Sequence, residues 1–144
     1  MYKFDKNHQF GLADFNQPMG LKMNPENRWV KKAEKIPWEA IEEKYAALFP
    51  GKKGMPAKPL RTALGSLLIQ KQLQFSDREL VEEIRENPYF QYFIGLPGYQ
   101  DTMIFSQKMR GISETHLFVP IIPICKKIFT KRQNILKCSL EIYF

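Results

Sequence analysis

Apolar residues along this chain recur mostly at helical spacing, and Pro, Gly and cap-forming residues cut the pattern into helix-sized segments. Asn24-Pro25-Glu26 reads as a helix start, with Asn24 as the cap and Pro25 at the first helical position, so a helix is expected from there to about Lys35. Pro37 cannot continue that helix but suits the start of another. Trp38, Ile41, Tyr45, Leu48 and Phe49 then follow at spacings of three and four, which predicts a second helix over about 37–49. Residues 50–56, rich in Gly and Pro, exclude a regular element and give a basic loop. After Pro59, Leu60, Ala63, Leu64, Leu67 and Leu68 form one stripe, while Ile69 and Leu73 fall off it. That pattern predicts a helix buried on more than one side, at the centre of a bundle. Gly65 weakens this helix by about 1 kcal/mol relative to Ala, a cost that close approach of a neighbouring helix would offset.

Gln74-Phe75 makes a short corner, and Ser76-Asp77-Arg78-Glu79 matches a capping box ahead of the stripe Leu80, Val81, Ile84. Asn87-Pro88 interrupts that helix. Tyr89, Phe90, Tyr92, Phe93 and Ile94 form an aromatic cluster that closes the core before Gly95-Leu96-Pro97-Gly98. The ends differ from the middle. Residues 1–23, with Gly11, Pro18 and Gly20, suit an irregular, partly ordered arm. From about Asp101 the composition turns basic and apolar, with a net charge of +4 over 119–144. The expected fold is all-α: a small helical bundle over 24–100 containing a helix-turn-helix-like pair, followed by a poorly defined C-terminal tail over 101–144.

A length of 144 residues allows one modest core. No apolar run approaches the roughly eighteen residues of a membrane span, and Met1-Tyr2-Lys3-Phe4-Asp5-Lys6 does not begin like a secretory signal. Cys125 and Cys138 form no Cys-x-x-Cys, and His8 and His116 are isolated, so a reduced, cytoplasmic protein without zinc or other cofactor is expected. Gly-x-x-x-x-Gly-Lys, Gly-x-Gly-x-x-Gly, Gly-x-Ser-x-Gly and Ser-x-x-Lys are all absent, which argues against a small-molecule substrate and against nucleophilic catalysis. The excess of 22 Lys and Arg over 15 Asp and Glu, a net +7, favours a polyanion as partner, with nucleic acid the first candidate.

The positive charge is unevenly spread. Between Glu43 and Asp77 there is no acidic residue, while Lys44, Lys52, Lys53, Lys58, Arg61 and Lys71 are all basic. Arg28, Lys31, Lys32 and Lys35 give a second basic strip along the first helix. Each set is a phosphate-contact candidate, and each is equally readable as a solvated surface. Residues 58–94 have the layout of a helix-turn-helix, yet its second helix sets five carboxylates against two guanidinium groups, a formal −3 that a phosphate-lined groove would repel. Arg78 and Arg85 are the base-reading candidates on that helix. Glu79, Glu82, Glu83 and Glu86 read as a salt-bridged solvated face rather than a metal site, and Trp29, Trp38 and Tyr45 as core rather than base-stacking residues.

Asn24-Pro25-Glu26-Asn27-Arg28-Trp29-Val30, Ile36-Pro37-Trp38, Ala57-Lys58-Pro59-Leu60-Arg61, the run from Phe75 to Ile84 and the run from Asn87 to Leu96 together resemble, in that order, the N-terminal domain of bacterial insertion-sequence transposases of the InsH type. The resemblance covers about residues 15–100. It implies an all-helical domain that engages transposon ends, ahead of an RNase H-like catalytic domain whose Asp, Asp and Glu hold two metal ions. That catalytic domain is not recognisable here, and the altered composition after residue 101 suggests a truncated or frameshifted transposase gene. The expectation is therefore a non-enzymatic DNA-binding fragment. Self-association, association with full-length transposase, or a non-functional remnant are the alternatives.

Overall fold

The computed structural model describes residues 11–47 and 59–102. They form five helices: α1 (Arg28–Lys35), α2 (Trp38–Ala46), α3 (Leu60–Leu73), α4 (Asp77–Glu86) and α5 (Pro88–Phe93). No β-strand occurs among the described residues. Leu48 and Phe49, the basic loop 50–56 and the tail beyond residue 102 lie outside them.

The first helix begins later than the sequence predicts. Asn24 closes a local turn, its side-chain oxygen accepting from the Glu26 N–H at 2.9 Å, and the cap is Asn27, whose side chain accepts from the Trp29 N–H at 2.9 Å. Two Asx residues three apart compete for one role, and the one nearer the first buried residue takes it. α1 turns Trp29, Val30 and Ala33 inward, and Trp38, Ile41 and Tyr45 do the same on α2. Both tryptophans and Tyr45 are core residues, as expected.

α3 has the predicted bounds and the predicted place. It packs against α2, α4 and α5, and every residue from Leu60 to Leu67 is buried. Gly65 explains itself here: a Cβ at that position would lie 3.2 Å from the Ile94 Cα, so its absence lets the end of α5 approach. The corner after α3 puts Gln74 at φ 57, and the Phe75 N–H returns to the Gln70 carbonyl at 3.2 Å, the six-to-one bond of a Schellman-type ending. Gln70 also donates to the Asp77 carboxylate at 2.6 Å, bridging α3 to α4 across the corner. The capping box is present: the Glu79 N–H donates to Ser76 Oγ at 3.3 Å and the Ser76 N–H to Glu79 Oε2 at 2.8 Å.

The aromatic cluster is itself a helix. Asn87 caps α5 by accepting from the Tyr89 N–H, and Pro88 fills its first position. From this short helix, Phe90 and Phe93 meet Trp29 edge to face at 5.1 Å each, Phe93 meets Trp38 at 5.6 Å, and Tyr92 meets Phe15 of the N-terminal arm at 5.8 Å. The described part of the arm, residues 11–23, is thereby pinned. Phe15 and Met23 are buried, and Asn16 bridges to Gly98 as a parallel partner, its N–H donating to the Pro97 carbonyl and its carbonyl accepting from Tyr99.

Replacing Ser76 by Ala is expected to lower stability by about 1 kcal/mol in urea denaturation. The Glu79 carboxyl is held below its ordinary value by hydrogen bonds first from the Ser76 side chain and then from its backbone. A folded value lowered in this way means that the box is intact above the ordinary carboxylate range and is lost as the pH falls through the lowered value. The protection of the Ser76 amide against exchange, relative to the intrinsic rate at each pH, should fall over that interval, while protection in the middle of α3 should not.

Candidate nucleic-acid interface

Arg61 must first be removed from the phosphate-contact set. It is only 5% exposed, and its guanidinium reaches the far end of α5, where Nε donates to the Phe93 carbonyl at 3.1 Å and Nη2 to the Tyr92 carbonyl at 2.9 Å. The same group lies 5.3 Å from the Trp38 ring centroid and 5.6 Å from that of Tyr92. Thr62 adds a bond from Oγ1 to the Ile94 carbonyl at 3.2 Å. Together they satisfy the Phe93 and Ile94 carbonyls at the end of α5 and add a second donor to that of Tyr92, which also accepts from the Gly95 N–H at 3.0 Å. Burial lowers the Arg61 pKa, while Tyr92 and the buried Glu42 favour its charged form. Gly95, at φ 83, leaves the space this requires, since a Cβ there would sit 2.7 Å from Arg61 Cδ. The sequence held one clue to this role: Arg61 lies within an otherwise apolar and small-residue stretch of a central helix, where a cation has to find buried acceptors.

Arg85 is also committed within the protein. It pairs with Glu82 at 2.9 Å, Glu86 at 3.9 Å and Asp101 at 3.6 Å, tying α4 to the segment after Gly98. Gln91 reinforces that tie. Its buried side chain donates to the carbonyls of Arg85 and Gln100 and accepts from the Gln100 N–H. Arg78 is exposed on the first turn of α4, flanked by Asp77 and Glu79. Lys71 is half-buried in the last turn of α3. Lys52, Lys53 and Lys58 lie outside the described residues.

The strip on α1 is the set that the structure assembles. Arg28, Lys31 and Lys35 are exposed and Lys32 is half-buried on the outer side of a helix whose inner side carries Trp29, Val30 and Ala33. Lys31 pairs with Glu26, itself exposed. Lys32 lies 4.9 Å and Arg28 5.6 Å from the Trp29 ring centroid, and the Lys32 ammonium donates to the Gln72 side-chain oxygen at the end of α3. Burial, and then the charge of Arg28, lower the Lys32 pKa. The sequence pattern missed Gln72, which lies forty residues from Lys32 on a helix that packs, as α1 does, against α5.

A cleft of about 440 Å³ opens between Leu12 and the α1–α2 corner, over Trp38, Arg61 and Tyr92. Glu34 and Glu39 line it, which gives it the wrong charge for a polyanion. No group of three or more His, Cys, Asp or Glu among the described residues is placed to hold a metal ion, and no described helix is long and apolar enough to cross a membrane.

This helical unit, with its basic first helix, coincides with a known family. The profile of the transposase domain (DUF772) matches residues 19–115, two thirds of the chain, and the protein belongs to that family. The match extends past the composition change near residue 101. Among curated proteins the chain is 31% identical over 86 residues to "Uncharacterized protein ORF8 in nfe locus" of Rhizobium meliloti; the aligned segment is 60% of this chain and spans 41% of that protein's length. No solved structure matches.

Substituting Arg61 by Met is expected to cost about 3 kcal/mol in urea denaturation, because two charge-assisted bonds are lost and the Phe93 carbonyl is left open. Arg61→Lys should recover little of this, since a single ammonium nitrogen lacks the planar Nε and Nη2 pair that meets the two carbonyls. Arg28→Ala, on the surface, should stay within about 0.5 kcal/mol of the parent.

Proposed function

We propose that this transposase-family domain binds duplex DNA, as the end-recognition part of an insertion-sequence transposase, and that α1 supplies its main phosphate-contacting face. The observation that carries this reading is the basic strip Arg28, Lys31, Lys32 and Lys35 on the solvent side of a helix fixed by its buried tryptophan. Cations on a rigid element meet a charged polymer with little ordering cost. Lys52, Lys53 and Lys58 add positive charge in the acid-free stretch of sequence before α3 in this proposal, and Arg78 contributes from α4. The acidic side of α4 faces away from the phosphates in this arrangement, so the α3–α4 pair serves as scaffold rather than as a groove-reading unit. Strand cleavage and transfer are assigned to other parts of a transposase, and the role of this domain is recognition.

Self-association through the apolar faces of the second and third helices has less to draw on. Trp38, Ile41, Tyr45, Leu60, Leu64, Leu67 and Ile69 are already buried in the chain's own core.

Fluorescence anisotropy with a duplex carrying the element's terminal repeat, and with a scrambled duplex, tests the proposal. Affinity for the repeat should exceed that for the scrambled duplex and fall more than about tenfold between roughly 50 and 200 mM salt. A Lys31→Ala/Lys35→Ala variant should reduce the log–log salt slope by about two while keeping its helicity. Binding of the intact chain that is absent, or insensitive to salt, would sink the reading.

A further inference from the structure

The pair formed by Arg28 and Lys32 differs from the rest of the strip. Lys31 has a carboxylate partner in Glu26, whereas the contacts described for Arg28 and Lys32 are with an indole ring and an amide. Two cations one helical turn apart repel each other, and here both are drawn to one aromatic ring. That position is maintained by structure. Trp29 is 3% exposed and wedged edge to face between Phe90 and Phe93, and the Lys32 ammonium is held by Gln72 from α3. Lys32 is half-buried, and burial first and then the like charge of Arg28 disfavour its charged form.

A guanidinium fork and an ammonium one helical turn apart at one aromatic ring, with the amide of Gln72 against the ammonium, offer the donors that a tetrahedral oxyanion accepts from. A bound anion would remove the repulsion between the two cations and replace the water that Lys32 gives up on partial burial. We infer that Arg28, Lys32 and Gln72 form a single-phosphate site at the α1–α3 junction, with Trp29 as its floor. The site deepens the DNA-binding reading by naming one shared phosphate as its ligand. The same chemistry would accept a free phosphate.

Inorganic phosphate titrated into the isotope-labelled full chain, against chloride at matched ionic strength, tests the site by NMR. A saturable response is expected at Arg28, Lys32, Gln72 and the Trp29 indole. A response that is absent, or linear and spread evenly over the exposed lysines, overturns the site whether or not DNA binds. DNA titration of an Arg28→Gln/Lys32→Gln variant identifies the source of the phosphate. One phosphate shared by both cations predicts a log–log salt slope smaller by about one, and a slope smaller by about two means two separate contacts and overturns sharing. Saturable phosphate binding by the intact chain, together with DNA affinity unchanged in the variant, assigns the site to free phosphate. Failure of the intact chain to bind DNA would remove the DNA reading and leave the phosphate titration to decide the site.

Discussion

The last carbonyls of a helix need donors, and those of α5 end inside the protein, where water cannot supply them. A helix of six residues has almost no stability of its own, so everything it does depends on how its two ends are held. Asn87 and Pro88 secure the start, and Arg61 and Thr62 secure the finish from the first turn of α3. Because the aromatic rings of α5 hold Trp29, Trp38 and Phe15, that polar contact bears on the positions of α1, α2 and the N-terminal arm together. A buried guanidinium is costly to desolvate, but here the carbonyls it meets and the aromatic faces beside it offset that cost, and the contact allows one register between α3 and α5.

The same arrangement places the basic face. α1 is only eight residues long, and most of its sequence is polar or charged. Its orientation is set by Trp29, the residue seated between the rings of α5. The cations around that tryptophan are thus fixed by the core beneath them, and Gln72 at the end of α3 anchors one of them from a second element. The link from core to surface is short: Arg61 holds α5, α5 holds Trp29, and Trp29 lies under Arg28 and Lys32.

Much of the fold was legible in the sequence because its signals are local. The stripe of α3, the Ser76–Glu79 box and the breaks at Pro37 and Asn87-Pro88 depend on residues within a turn or two of each other, and all appear at or near their predicted positions. The start of α1 was misplaced because Asn24 and Asn27 offer the same chemistry, and only burial of Trp29 decides between them. Arg61 was misread because charge was counted along the chain. Its acceptors, the carbonyls of Tyr92 and Phe93, are some thirty residues away and carry no side-chain signature. Of the candidate interface, the helical spacing of Arg28, Lys31, Lys32 and Lys35 was readable, but Gln72 was not, for the same reason. The family resemblance extended what was readable, since it stands on ordered motifs rather than on any one contact.

The short pairing of Asn16 with residues 97–99 has a mechanical consequence. The two segments run in the same direction, so tension applied through the chain on either side of the domain would pull them apart lengthwise and load both backbone bonds together, instead of peeling them open in turn. Phe15 against Tyr92 and the Gln91 clamp on Gln100 stand directly behind that pairing. Tension carried along the chain through this domain therefore meets a sheared latch before it reaches the helices α1 to α5.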